Sequence, residues 1–328
     1  VSQVVHLRWI NLPSMTNCAC TCFFEEVPLE FGALARPESE FGLEQTVYRV
    51  GAYDIAIAKA DAQLEGDLLY DDGGQTVDRT GMLMWPGGTV IAHALLNLGN
   101  TGALAGRSVL ELGSGVGFCG IVANLFAGQV VLTDRSHEAR ATARENLRLN
   151  EHLFKRDMLG AAQSGVSAEV LNLAWPVFGH PGKPVDETGT RSFDLVIASD
   201  VLYVEEPRFG GLHDKELNGF CSVIKRKLAP GGLALMAYAN RETHGIASIF
   251  AAANHIGLEC SEVPVCSFVS AEVLGATGAG LLSATRLLQF TLETPIDGDT
   301  CGLSGSLPSM VSAVRGVALA SAQALGPI

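Results

Sequence analysis

Between residues 107 and 292 the chain alternates two hydrophobic periods. Apolar-rich runs at 108–112, 130–133, 168–173, 193–199, 232–238, 258–265 and 285–292 have the length of strands. Such runs describe strands buried on both faces, as in a parallel sheet held between helices. Segments at 117–127, 138–150, 212–228 and 243–255 repeat their apolar residues every three to four positions and predict the covering helices. The expected fold is α/β: a seven-stranded, mostly parallel sheet with helices on both faces. Pro230-Gly231-Gly232 reads as a stop-and-turn signal between the helix at 212–228 and the strand after it.

Ahead of this core, 45–69 reads as an N-terminal β-hairpin, with Val47-Tyr48-Arg49-Val50 and Asp54-Ile55-Ala56-Ile57-Ala58 flanking a turn at Gly51-Ala52. Asp71-Asp72-Gly73-Gly74 reads as a loop. Behind the core, 295–328 is rich in Gly, Ser and Ala and is expected to be a flexible tail with at most one short helix at 311–325. The expected organisation is a poorly ordered extension at 1–44, hairpin and loop at 45–80, one large domain at 81–294, and the tail.

Composition narrows the function. With 48% apolar and 17% charged residues in 328, the chain can bury a full core and is not a disordered segment. Its 22 basic and 35 acidic side chains give a net charge of −13, the wrong sign for holding nucleic acid by phosphate neutralisation. Residues 1 to 80 hold 5 of the basic and 13 of the acidic side chains, so the negative excess is concentrated ahead of the core. No uncharged apolar run reaches the roughly 18 to 20 residues of a membrane span, and no secretory signal opens the chain; the expected location is cytoplasmic, with the nucleus as an alternative. Cys18, Cys20 and Cys22 alternate without the paired spacing of a zinc site, so a strand face or leader is expected rather than a metal site, with a soft metal ion as the alternative.

The candidate chemistry is concentrated at predicted strand ends. Val109-Leu110-Glu111-Leu112 runs into Gly113-Ser114-Gly115-Val116-Gly117, and a helix follows, so the backbone can approach a nucleotide closely at the carboxyl end of the first core strand. A dinucleotide fingerprint starting at Gly113 would need glycine at 118, where Phe118 stands. Without a phosphate clamp, an adenosine ligand lacking phosphates fits better. The next strand ends at Thr133-Asp134, placing a carboxylate where it can accept from both ribose hydroxyls. Ser199, Asp200 and Tyr203 reach the same sheet edge at the end of the strand at 193–199. Trp85, in Met84-Trp85-Pro86-Gly87-Gly88, and Trp175 can form flat walls, or simply pack as core aromatics. Asp200 has a structural alternative as a helix cap.

In these residues the sequence resembles a class I, seven-β-strand S-adenosyl-L-methionine-dependent methyltransferase with a Rossmann-like sheet. More narrowly, it resembles the methyltransferase-like family 16 of protein-lysine methyltransferases. The resemblance runs over about 45–292 and is carried by Thr80-Gly81, Trp85-Pro86, the loop from Glu111 to Gly117, Thr133-Asp134, Asn146, Asn150, Trp175 and the tetrad Asp200-Val201-Leu202-Tyr203. It implies that 81–294 is the methyltransferase domain and that Trp85, Glu111, Gly113, Ser114, Gly115, Gly117, Asp134, Trp175 and Ser199 hold S-adenosyl-L-methionine. Asp200 and Tyr203 would receive the substrate side chain, a lysine of a protein partner. The family often has an acidic residue directly before the tryptophan after the third core strand, where this chain has Ala174.

A lysine attacks only as the neutral amine, and its usual pKa is near 10.4, so such a site must favour proton loss; Asp200 can orient the amine, and Tyr203 offers a hydroxyl and a π face. Base methyltransferases of this sheet carry prolines after the fourth core strand to shape a pocket for a flipped base, and Val201 and Leu202 stand there instead. With the acidic balance, nucleic acid is not the expected partner. A small-molecule methyltransferase and a non-catalytic cofactor-binding interaction protein remain alternatives. Net negative charge would favour a basic segment on a protein substrate.

Overall fold

A computed structural model describes residues 26–27, 43–60, 69–71, 76–78, 80–154, 167–175, 185–202, 213–239, 245–269, 285–292, 310–312, 314 and 316. Its centre is an eight-stranded sheet made of β6 (Ser108–Leu112), β7 (Gln129–Asp134), β8 (Ser167–Ala174), β9 (Val185–Asp186), β10 (Phe193–Ser199), β11 (Leu228–Ala239), β12 (Leu258–Val263) and β13 (Thr285–Leu292). The strand order is β12-β13-β11-β10-β6-β7-β8-β9. The neighbours from β11 through β8 are parallel, and β13 runs antiparallel to both β11 and β12. The seven expected strands are all present, and the eighth, β9, is a two-residue antiparallel edge that follows β8.

Helices α2 (Phe118–Asn124), α3 (His137–Leu149), α5 (His213–Lys227) and α6 (Ile246–His255) fall on the four predicted segments, and α4 (Glu151–Phe154) is a single added turn. The longest addition is α1 (Pro86–Asn100), for which the sequence reading proposed no helix. Its signals are ordinary ones: proline at the first helical position, then Val90, Ile91, Ala94, Leu95 and Leu98 on one buried stripe. The glycines at 87, 88 and 99 obscured that period.

Pro230-Gly231-Gly232 does not separate helix from strand. β11 starts directly after α5, and the register jumps from Phe193↔Leu228 to Leu195↔Leu233, so the turn residues bulge out within the strand, with Gly231 at φ +75°. The sequence signal was a real turn, absorbed inside the ladder rather than ahead of it.

The hairpin stands as expected: β2 (Glu44–Val50) and β3 (Tyr53–Lys59) pair from Glu44↔Lys59 to Val50↔Tyr53. β1 (Glu26–Val27) joins as a third strand on β2, and β4 (Leu69–Asp71) pairs with β5 (Thr76–Asp78) around the predicted loop, whose Asp72, Gly73 and Gly74 lie outside the described residues. Apolar side chains cover both sheet faces. One core joins Val50, Ile55 and Ile57 of the hairpin to α1 and α2, and also takes in Met310 and Val314 from the tail segment; the other lies beneath α5 and α6. Each fully buried Leu or Ile stabilises the fold by about 1.5–3 kcal/mol, so this double cover explains why β10 and β11 are mostly apolar. No helix among the described residues is long and apolar enough to cross a membrane.

Candidate active site

The chain leaves β6 toward β7 on one side and β10 is β6's neighbour on the other, so the direction of strand succession reverses between them. Open α/β sheets bind ligands at the carboxyl ends of strands at such a point. A cleft open to solvent lies here and is lined by Trp85, Glu111, Gly113, Ser114, Gly115, Asp134, Trp175, Ser199 and Asp200 of the sequence-derived set. Gly117 is not among its lining residues. It caps α2 in the left-handed region at φ +84°, and a Cβ there would stand 2.9 Å from Leu132 Cδ2 and 3.1 Å from Ala143 Cβ, so it serves helix packing. Tyr203 and the Cys18/Cys20/Cys22 cluster lie outside the described residues.

The loop glycines are required by shape. Gly113 has φ +62°, and a Cβ there would lie 2.6 Å from Val201 Cγ1; Gly115 has φ +52°, and a Cβ would lie 2.8 Å from the Gly81 carbonyl oxygen. The short 3-10 turn Thr80–Met82 therefore sits directly on the loop. Trp85 holds that turn by donating from Nε1 to Thr80 O at 2.8 Å.

Three carboxylates at strand ends gather backbone N–H groups around the cleft. Asp200 Oδ2 accepts from Gly87 N at 2.7 Å and Oδ1 from Ala239 N at 2.9 Å. The first bond caps α1, whose own N-cap residue Trp85 makes no side-chain cap bond. Asp200 is also the one non-glycine with positive φ among the described residues, at +52°, a conformation Asp tolerates better than most. Glu111 Oε2 accepts from Gly120 N at 2.8 Å in the first turn of α2. Asp134 accepts from Gly115 N at 2.9 Å and Ser136 N at 2.8 Å. Burial pushes the Glu111 carboxyl up to about 8, opposed by the Gly120 N–H and reinforced by Asp134. Burial also raises Asp134, against the pull of the Ser136 and Gly115 N–H groups. With Glu216, these give four acidic side chains in the lining against one guanidinium, Arg135, a surrounding that favours a cationic ligand.

In the lining, Ser114 Oγ and Trp175 Nε1 are buried without a hydrogen-bond partner. Leaving such groups unpaired costs about 1–3 kcal/mol each, and polar atoms of this kind at a cleft are suited to a ligand. A lysine methyltransferase family model matches residues 69–244, more than half of the chain and all of this cleft's glycine loop and tetrad. The chain belongs to the lysine methyltransferase family. Among curated relatives, it is 38% identical over 104 residues to protein N-lysine methyltransferase METTL21A of Xenopus tropicalis, covering 31% of this chain and 40% of that one. It is 29% identical over 147 residues to EEF1A lysine methyltransferase 3 of Mus musculus, covering 44% and 50%. The chain thus spans about half or less of the length of these relatives. Among solved structures, a T. Thermophilus 16S rRNA N2 G1207 methyltransferase in complex with AdoMet and guanosine matches at a TM-score of 0.47 and 13% identity, covering 79% of this chain and 52% of that one.

Within this lysine methyltransferase fold, Asn146 and Asn150 have a structural task. Asn146 accepts from Ala58 N at 2.7 Å and donates to Ala58 O at 3.0 Å and Val116 O at 2.8 Å; Asn150 repeats the pattern on Ala56 N and O. Two amides spaced four residues apart, in the last turn of α3 and at its C-cap, mimic the missing neighbour of edge strand β3 and tie it to the glycine loop. Sequence reading missed Glu216 on α5, buried and part of the lining, because a lone glutamate in an amphipathic helix gives no spacing signal. It also missed the contribution of Gly88, Cys119, Arg135 and Ser136 to the lining.

Proposed function

We propose that this chain is an S-adenosyl-L-methionine-dependent protein-lysine N-methyltransferase. The observation that carries the reading is the acid-lined cleft at the sheet's switch point, with Ser114 Oγ and Trp175 Nε1 buried and unpaired, in a chain of the lysine methyltransferase family. When bound, the cofactor supplies a methyl group made electrophilic by its sulfonium charge. The loop Gly113-Ser114-Gly115 would lie beneath its methionine part. Asp134, whose oxygens each accept one N–H and keep a further lone-pair site, would accept from the ribose hydroxyls. Trp85 would close one end of the cleft, and Trp175 and Ser199 would line the base.

Asp200 would meet the substrate side chain. It draws an incoming ammonium by charge, and the lone-pair sites left over from Gly87 N and Ala239 N can orient the amine once its proton is lost. Tyr203 belongs to the same proposed role as the last member of the tetrad. Relatives are named for EEF1A and for calmodulin as lysine substrates, which supports a protein acceptor here. The acidic balance of the chain favours an acceptor in a basic segment over nucleic acid.

Isothermal titration with S-adenosyl-L-methionine and its demethylated product tests the cofactor assignment. Both should bind one to one, and Ser114→Ala should weaken both several-fold. Absence of heat with either ligand would end the proposal.

A further inference from the structure

We propose that Trp85 and Gly88, at the start of α1, shape a pocket for a nitrogen that already carries methyl groups, so that mono- and dimethyl-lysine serve as acceptors alongside lysine. The inference rests on the lysine methyltransferase reading above and adds the residues that set how many methyl groups are built.

Two glycines follow Pro86 in α1, and the fold requires only the first. A Cβ on Gly87 would stand 2.7 Å from Asp200 Oδ2 and 3.2 Å from Ala237 Cβ, so glycine there admits the carboxylate that caps the helix. A Cβ on Gly88 would meet nothing closer than Cys119 Sγ at 3.7 Å, with Phe118 Cδ1 and Ser199 Oγ at 3.9 Å, all ordinary contact distances. Gly88 is helical and is not among the glycines with positive φ. Alanine would therefore fit and would favour the helix. What glycine preserves here is space in the cleft, because Gly88 and all three of those neighbours line it.

That space lies at the acceptor end. Asp200, which would meet the substrate side chain, accepts from Gly87 N at 2.7 Å. Ser199 continues the alternation of Leu195 and Ile197, which face the core shared with α1 and α2, whereas Trp175 packs on the other core beneath α5. Trp85 completes the pocket: Gly88 N donates to Trp85 O at 2.9 Å, and the indole Nε1 donates to Thr80 O at 2.8 Å. With its one N–H committed there, the Trp85 ring offers the cleft carbon edges and a π face.

A carboxylate orients an amine through its N–H groups, and each methyl group removes one. Contact with a π face needs no N–H and suits methylated ammonium groups. Asp200 therefore orients lysine best, whereas Trp85 keeps its hold on mono- and dimethyl-lysine, and the missing Cβ of Gly88 admits their methyl groups. In each round the nitrogen lone pair forms the N–C bond while the C–S bond breaks and leaves its electrons on sulfur. The new ammonium then releases a proton to solvent, to which the cleft is open, before the next round.

The test gives the full chain heat-inactivated cell lysate and trideuteromethyl-labelled S-adenosyl-L-methionine, and peptide mass spectrometry counts the labels on each lysine. Wild type should place two or three labels on its modified lysines. Gly88→Ala should lower the ratio of multiply to singly labelled lysine about tenfold or more at equal first transfer, the discrimination that one misplaced methyl group produces in an apolar pocket. Trp85→Leu should lower it several-fold, and Trp85→Phe, which keeps a π face, should stay closer to wild type. Gly88→Ala should melt at or above the wild-type temperature, which separates a filled pocket from a damaged fold. A wild type that stops at one label, a Gly88→Ala ratio equal to wild type, an equal slowing of every transfer, or a lower melting temperature for Gly88→Ala overturns this inference while lysine methylation stands. No labelled lysine with wild type overturns it together with that reading.

Discussion

Asp200 shows how one carboxylate can hold distant backbone and still face a cleft. The sequence offers it as a residue for the substrate side chain or as a helix N-cap at its strand end; in the structure its oxygens close the first turn of α1, 113 positions earlier, and the end of β11. That cap keeps a charged group at the cleft in a backbone conformation that is otherwise rare. Glu111 is a different case, a carboxyl raised to about 8 against 4.5 for the free side chain. The folded protein holds this proton more tightly than the unfolded chain does. The resulting stability is complete below pH 4.5 and is lost as pH rises through about 8. Glu111→Gln should therefore flatten the fall in melting temperature across that window, measured by calorimetry in matched buffers. A cation in the cleft favours the ionised form, so wild-type affinity for the sulfonium cofactor should rise toward pH 8 more steeply than for the uncharged thioether product. Parallel pH profiles in wild type and Glu111→Gln would show that Glu111 titrates elsewhere.

At the scale of elements, α3 fastens the hairpin to the glycine loop. Asn146 alone makes two bonds to Ala58 and one to Val116 O. Asn146→Ala leaves these backbone groups unpaired and should cost about 2–3 kcal/mol in urea unfolding, with a several-fold loss of cofactor affinity. Asn150→Ala, which does not touch the loop, should lower stability with little change in affinity. Equal effects of the two on affinity would refute the coupling. The sequence showed the strands whose apolar residues dominate, because strands buried on both faces announce themselves in composition: β7, β10 and β11 were legible for that reason, and β6, β8, β12 and β13 from strand-length segments that mix apolar with polar positions. α1 was not, since glycines stand at both ends of its stripe and its cap comes from Asp200 far along the chain. No local signal encodes a cap of that kind. Glu216 was hidden likewise, because only the packing of α5 against Trp175 turns an ordinary helical glutamate toward the cleft.

At the scale of the molecule, the site belongs to the sheet topology: the glycine loop, Asp134, Trp175 and Asp200 come from the ends of four adjacent parallel strands, β6, β7, β8 and β10. Their chain order and their flanking apolar runs made this set readable from sequence. The wiring that holds them, Asp200 to Gly87 and Asn146 to Val116, was visible only in three dimensions. The negative excess ahead of residue 81 lies before and after the hairpin strands, which are themselves neutral, and the cleft adds four acidic side chains of its own. Both favour a cationic partner segment. Gly115→Ala, which would press a Cβ against the Gly81 carbonyl in a left-handed backbone, should disable the loop with a cost of about 1–3 kcal/mol in stability and the loss of cofactor binding by calorimetry. The central claim is tested most directly by incubating cell lysate with the purified chain and trideuteromethyl-labelled S-adenosyl-L-methionine, then mapping the label by peptide mass spectrometry. The account predicts labelled lysines in protein with wild type and none with Asp200→Ala; label on histidine, on nucleic acid or on small molecules alone would contradict it.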